Sequence, residues 1–245
     1  MRAILSVIQS AGDIGSAVAH RLKRAGLRPV LLEGPAPLAP RRLMAFADAV
    51  HAGQAELEGL RALRCADAAQ ALSLSGEEGV IPLLVVEPDA PLPLRAEVLV
   101  DARMRKRREP PVQIGAAPLV IGIGPGFRAG VHTHLVIESN WGERLGAVIR
   151  EGASEAYTGR HRVIAGKGRE RYLYAPRAGV FRSERELLAP VRAGEVVGWV
   201  DEAPLAAETD GILKGLLRSG VRVEPGAKVA EVDPRGDPAS CRGIG

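Results

Sequence analysis

The first thirty-three residues constrain this chain most. The apolar run Ala3 to Ile8 breaks into the glycine turn Ser10-Ala11-Gly12-Asp13-Ile14-Gly15, followed by a helical pattern in Ala17, Val18, Leu22 and Ala25 that ends at Gly26. A second apolar run, Pro29 to Leu32, closes on Glu33, eighteen residues beyond Gly15. Strand, glycine turn, helix and strand in this order read as half of a nucleotide fold, with an acid where such units hold a ribose hydroxyl. Gly12 and Gly15 leave room for a phosphate at the helix N-terminus. Ser10 replaces the first glycine of GxGxxG, and Asp13 puts a negative charge beside that phosphate. A nucleotide site and a nucleotide-like fold with nothing bound therefore both stay open.

Val80 to Val86 and Glu97 to Val100 are further apolar runs of buried parallel-strand type, with helical stretches around 43–51 and 66–73. Ligands of open parallel sheets sit beyond the carboxyl ends of strands, where Glu33, Glu87 and Asp101 fall, and Glu87 reads best as a solvated strand-end carboxylate. Arg41-Arg42 follow the turn Gly34 to Pro40, and Arg103 to Arg108 follow Asp101. Paired arginines suit a phosphate or carboxylate through bidentate contacts. Arg105, Arg107 and Arg108 read equally as a solvated loop. No aromatic is interleaved with them to stack bases, and the net charge of +4 rests on arginine, with lysine only five times among 33 basic residues. Nucleic acid is disfavoured.

The middle of the chain is dense in glycine, with Gly122, Gly124, Gly126 and Gly130 within nine residues, which marks a backbone approached closely by something. Then comes His132-Thr133-His134-Leu135-Val136-Ile137-Glu138. As a strand, it sets His134 and Glu138 on one face two pleats apart. Asp101 is the nominated third partner for a metal or acid–base site, against the reading of a satisfied structural pair. Whether a metal is bound is left open.

The last third repeats itself with an offset of 32 residues. Ala175–Phe181 is echoed by Ala207–Leu213, and Val191–Val200 by Val223–Val232. Two such sets of short strands and paired turns describe a small flattened barrel, similar in pattern to biotinyl and lipoyl carrier domains. The hairpin between the halves reads Asp201-Glu202-Ala203-Pro204 and has no lysine, so neither biotin nor lipoate is expected, and the barrel becomes a docking or structural module. The expected fold class is α/β: a Rossmann-like parallel sheet followed by a small all-β barrel-sandwich. The expected bounds are 1–115 for the Rossmann-like domain, 116–168 for a glycine-rich middle segment packing on it, 169–235 for the barrel and 236–245 for a truncated tail. The low aromatic content of 3%, with 29 Gly and 18 Pro, suits such turn-rich architecture.

The strings from Ser10 to Arg42, DARMRKR, IGIGPGFRAG, THLVIESNWGERLGAVI and KVAEVDPRGDPASC resemble the selenium-dependent molybdenum hydroxylase system accessory proteins. The resemblance implies a cytoplasmic factor in maturation of those enzymes, with a molybdenum hydroxylase or other maturation protein as partner. It maps a glycine turn on Ser10 to Asp13, paired arginines on Arg41 and Arg42, a strand-end acid and base on Asp101 and Lys106, and a GPGF segment on Gly124 to Phe127. Trp141 and Glu143 depart from it, and it implies one further C-terminal helix. The combined expectation is a phosphate-bearing nucleotide or molybdopterin-type cofactor held by Gly12, Asp13, Gly15, Glu33, Arg41, Arg42, Lys106, Gly124 and Gly126, with Asp101, His134 and Glu138 facing the reacting centre. The rivals are an NAD(P)-dependent oxidoreductase and a ligand-free scaffold. Cys65 and Cys241 match no metal spacing and suit a reducing compartment. No membrane span is expected, and a homo-oligomer is compatible with the chain.

Overall fold

The computed structural model describes residues 3–106 and 108–244, so Arg107 lies outside the described residues. The chain forms two compact units. One comprises residues through Pro35 together with 46–159; the other comprises 36–45 and the chain from Arg160.

The first unit holds strands β1 (Leu5–Gln9), β2 (Arg28–Glu33), β3 (Gln54–Leu57), β4 (Leu60–Cys65), β5 (Val80–Val85), β6 (Val98–Asp101), β7 (Leu119–Ile123), β8 (Arg128–Ala129), β9 (Leu135–Ile137), β10 (Val148–Ile149) and β11 (Gly152–Ala153). Nine of them form one sheet in the order β10-β9-β7-β6-β1-β2-β5-β4-β3, while β8 pairs with β11. β1 sits at the centre, with Ile8 in register with Leu31 on one side and Val100 on the other, and all five of its residues are buried. Burial on both faces explains its unbroken apolar run. Helix α1 (Asp13–Arg24) carries the chain from β1 to β2. Its buried stripe is Gly15, Ser16, Ala19 and His20, and Arg21, Lys23 and Arg24 in its last turn complement the helix dipole.

The expected all-parallel, Rossmann-like sheet with a carrier-type barrel behind it is corrected here. The sheet is mixed, because β3 runs antiparallel to β4 and β10 to β9. Only three α-helices occur among the described residues: α1, α2 (Ala49–Ala52) and α3 (Ala68–Leu74). Among the described residues the crossovers that follow β6 and β7 carry no helix; Pro110, Pro111 and Pro118, then Gly124, Pro125 and Gly126, interrupt any helical run. The stretch expected to be helical around 43–51 is two 3₁₀ turns, Arg42–Met44 and Phe46–Asp48, leading into the four residues of α2. The stretch at 66–73 is α3, capped by the Asp67 carboxylate accepting from Gln70 N. The β3–β4 hairpin was not expected from sequence. It turns on Glu58 and Gly59, with φ of 46° and 76°, as a two-residue primed turn requires.

The second unit is built from β12 (Tyr172–Tyr174), β13 (Gly179–Arg182), β14 (Pro190–Val191), β15 (Val196–Val200), β16 (Ala203–Ala206), β17 (Gly211–Leu216), β18 (Arg222–Val223) and β19 (Lys228–Asp233). They form two antiparallel sheets, β12-β19-β17-β14 and β16-β15-β13-β18. The 32-residue offset relates the starts of β13 and β17, of β14 and β18, and of β15 and β19. Phe181, Val197, Val200, Leu213, Val229 and Val232 lie in its core. No helix among the described residues is long and apolar enough to cross a membrane.

Candidate functional site

The turn after β1 is organised by one acid. Glu33, the last residue of β2, accepts from Ala11 N at 2.7 Å and from Gly34 N at 2.8 Å, and the Ser10 hydroxyl lies 3.4 Å from the same oxygen that Ala11 reaches. Burial pushes the Glu33 carboxyl above the ordinary range, against the pull of these three neutral donors. Ser10 turns the chain with a φ of 99°, a region that favours glycine, and its Oγ accepts from Gly12 N at 3.1 Å. Gly15 is demanded by packing: a Cβ there would stand 2.0 Å from Ser10 O. Gly12 is different. Its φ is −65°, and a Cβ would meet only Ser10 Oγ at 3.3 Å, so neither conformation nor the bulk of the protein excludes a side chain. The bare backbone at Gly12 leaves room above the start of α1, whose N-cap makes no side-chain hydrogen bond and whose first residue is Asp13.

Beyond the carboxyl ends of β2, β4 and β5 lies a cavity of about 500 Å³ lined by Pro35, Val50, His51, Arg64, Cys65, Ala66 and Val85. Pro35 follows Glu33 by two residues, so this space and the turn share one edge of the sheet. Arg64 is anchored at its rim by a 2.7 Å bond to Val50 O. Burial pushes the Cys65 thiol upward, which disfavours the thiolate. Sequence reading missed the cavity because β4, which supplies Arg64 and Cys65, was not seen as a strand.

The three residues expected to face a reacting centre are not assembled. Asp101 ends β6, fully buried, and accepts from Arg103 N, Nε and Nη2. β7 lies between it and β9, which puts about 10 Å between the two strands. His134 stands just before β9, its Nδ1 accepting from Val120 N at 2.9 Å. Glu138 follows β9 at the other end, buried, and accepts from Ser139, Asn140 and Glu155 N, each at 2.8 Å. Each acts as a fastener for backbone N–H groups. Among the described residues no three His, Cys, Asp or Glu side chains are grouped to hold a metal.

The crevice between β1 and β6, where the strand order reverses, is filled by the chain itself. Gln113 Nε2 donates to Gln9 Oε1 at 2.9 Å, and Arg103 reaches Gln113, Asp101 and Pro88 O. Gly124 and Gly126 likewise serve internal packing. Their φ values are 110° and 86°, and added Cβ atoms would meet Met104 Sδ at 2.8 Å and Pro110 Cδ at 3.2 Å. Lys106 is exposed and lies 5.3 Å from the Tyr157 ring centre. Arg41 and Arg42 belong to the second unit, and Gly12 and Glu33 to the first.

Arg41 instead joins a cluster that the sequence did not disclose. Glu231 of β19, fully buried, takes a bidentate pair from Arg41 at 2.8 and 3.0 Å, a 2.7 Å bond from buried Arg171, and Lys228 at 3.4 Å. Burial would raise its carboxyl, but Lys228, then Arg41, then Arg171 overcome that and hold it at about 2. Tyr172 and Tyr174 wall the cluster, with Lys228 5.1 Å from the Tyr172 ring centre and Arg169 4.2 Å from that of Tyr174. Nearby in sequence, Asp233 is buried against Lys214 and Arg235.

Comparison with known proteins gives one curated relative, "Uncharacterized protein YqeB" of Escherichia coli, 39% identical over 242 residues; the match covers 98% of this chain and 44% of the relative. The chain thus spans less than half the length of that relative. No family model matches. The solved structures include a succinylglutamate desuccinylase/aspartoacylase from Rhodobacter sphaeroides, 28% identical over 33% of this chain and 29% of the other, TM-score 0.24. They also include the ectoine utilization protein EutE (DoeB) from Ruegeria pomeroyi, 13% identical over 56% and 60%, TM-score 0.25, and an aspartoacylase family protein from Mesorhizobium loti, 13% identical over 94% and 85%, TM-score 0.27. Scores this low carry no argument about this chain's activity. The expected membership of the selenium-dependent molybdenum hydroxylase accessory family is corrected by these matches, none of which bears a name from that system. The molybdenum, selenium and maturation expectations rested on that resemblance and are not carried forward.

Proposed function

We propose that the first unit binds a small molecule of the nucleoside or nucleotide class along the carboxyl ends of β1, β2, β4 and β5. The observation that carries this reading is Glu33, a half-buried acid at the end of β2 whose partners among the described residues are neutral donors, two residues before Pro35 of the 500 Å³ cavity and bonded to the turn that holds Gly12. Its carboxylate can accept from the two hydroxyls of a ribose, and the open cavity lined by Pro35, Val50, Val85, Arg64 and His51 offers both apolar and polar surface to a base. The unit then works as a binding module, with any chemistry supplied by what it holds or delivers. Titration calorimetry with adenosine, ADP and NAD tests this. Binding of at least one probe in the micromolar to millimolar range, weakened about tenfold by Glu33→Gln, is the expected result; no binding of any of the three overturns the reading. A ligand-free scaffold is the second reading, favoured by the way Ser10 and Glu33 already occupy the N–H groups of Gly12 and Ala11.

A further inference from the structure

We infer that the β10 corner of the nine-stranded sheet is a self-association surface, on which a second copy of this chain docks antiparallel to the first. Three large apolar side chains stand in the open there within eight residues: Trp141 is 61% exposed, Leu145 46% and Val148 53%. Of the eight Trp, Tyr and Phe residues in this aromatic-poor chain, Trp141 alone is exposed. Tryptophan is among the side chains that most often anchor protein interfaces. The loop that presents it is held in shape. Buried Glu138 takes the N–H groups of Ser139 and Asn140, Asn140 Nδ2 donates to Ala156 O at 3.0 Å, and Gly146 N closes the loop on Glu138 O at 2.9 Å. Trp141 and Leu145 are thus displayed on a loop already ordered before any partner arrives, which lowers the entropy cost of docking.

The sheet behind this loop continues the apolar surface. Val148 is in register with Ile137, and Ile137 with Ile123, so these three share one face, and Leu135 with Ile121 forms the neighbouring row on it. Ile121, Leu135 and Ile137 are half-buried. Parallel strands ordinarily have both faces covered by crossover helices, and the crossovers on either side of β7 carry none among the described residues. Two observations make the occupant a second copy. β10 is the last strand of its sheet, bonded to β9 on one side only among the described residues, and a strand edge that meets its own copy across a two-fold axis pairs antiparallel and closes as a dimer. The flanks suit that arrangement: exposed Glu143 and Arg144 precede β10 and exposed Arg150 and Glu151 follow it, so an antiparallel copy lays an acid and a base against a base and an acid. Trp141, Leu145 and Val148 expose on the order of 300 Å² per copy. Two copies bring about 600 Å² together, half of the roughly 1,200 Å² at which specific interfaces begin. The sheet rows and charged flanks supply the rest, which places the pair in the weak, reversible class.

Sedimentation velocity on the full 245-residue chain, from about 1 to about 200 μM, decides it. A monomer–dimer equilibrium with a micromolar Kd is the expected result. Trp141→Ala and Val148→Lys should each weaken it at least tenfold, with the far-ultraviolet circular dichroism unchanged because both side chains are exposed. Glu143→Arg and Arg150→Glu should each weaken self-association, and mixing these two variants should restore it, since the mixed dimer carries opposite charges at both ends of the contact. That rescue is a readout that a merely structural role for either residue would not give. A monomer at about 200 μM, or a dimer unmoved by Trp141→Ala and Val148→Lys, overturns the inference and leaves the patch to a different protein. Charge variants that associate no better mixed than alone overturn the antiparallel arrangement.

Discussion

Glu33 is a half-buried carboxylate and Glu231 a wholly buried one, and the two units treat them in contrary ways. Glu33 is met by two backbone N–H groups and a hydroxyl, and burial leaves its proton harder to remove than usual. Glu231 is met by two guanidinium groups and an ammonium, and its proton is lost at about 2. Neutral donors leave a buried acid able to exchange its partners for those of a ligand. Three converging cations make it a lock whose removal strands the keys. A buried acid therefore marks a ligand site or a structural rivet according to the charge of what holds it.

The sharpest way to break this contrast is to neutralise the lock. Glu231→Gln leaves Arg171 buried without its acid and takes that acid from Arg41 and Lys228, and should lower unfolding free energy by about 3–5 kcal/mol in urea denaturation. A loss under about 1 kcal/mol would mean that the cations find other acceptors. The pH dependence separates the two acids by sign. Glu231, lowered from 4.5 to about 2, stabilises the fold above its unfolded value, and about 3 kcal/mol should vanish as pH falls from 4.5 towards 2. That acid limb should be missing in Glu231→Gln. Glu33, raised, contributes in the other direction: its stabilisation is present below the ordinary carboxylate range and lost as pH rises through its folded value. The stability of Glu33→Gln relative to wild type should therefore improve with rising pH above about 4.5, and a flat difference would deny that Glu33 is a strained acid.

Smaller effects probe the backbone around the first acid. Gly15→Ala puts a methyl 2.0 Å from Ser10 O and should cost about 1–3 kcal/mol, read by thermal melting, as β1 and α1 are forced apart. Nearby, both ring nitrogens of buried His20 lack a hydrogen-bond partner among the described residues. His20→Leu should raise stability by about 1 kcal/mol, and a loss of that size would show that the imidazole has a partner in solution.

What could be read from the sequence was what lies close together in it. The β1–α1–β2 passage was legible because two apolar runs flank one glycine turn, and Glu33 was placed by counting. Alternation suggested a common face for His134 and Glu138, but β9 spans only Leu135–Ile137 and contains neither. The pattern could not say that their partners would be Val120 N and Glu155 N, since those bonds are made only when distant strands meet. The same limit hid the Glu231 cluster, where Arg41 reaches across 190 positions and Arg171 across 60. Adjacent arginines at 41 and 42 suggested an anion site near the first glycine turn, when one of them serves an acid near the other end of the chain. The β3–β4 hairpin escaped for a local reason: Glu58-Gly59 adopts a turn usually announced by Asn-Gly or Asp-Gly. Of the middle-segment glycines, Gly122, Gly124 and Gly126 are close approaches, made by Phe127, Met104 and Pro110, while Gly130 faces open space.

Residues 36–45 leave the first unit after β2, join the second, and return. In this detour Arg41 grips Glu231, and Pro40 O accepts from Leu216 N at 2.8 Å. During synthesis these ten residues emerge long before their partners, and must wait unpaired while more than a hundred further residues leave the ribosome. A fragment starting at Arg160 would contain every strand of the second unit yet lack one of the three cations that hold its central acid. The two units are thus stitched by connectivity, and neither can be exchanged for a foreign module by a single cut and splice.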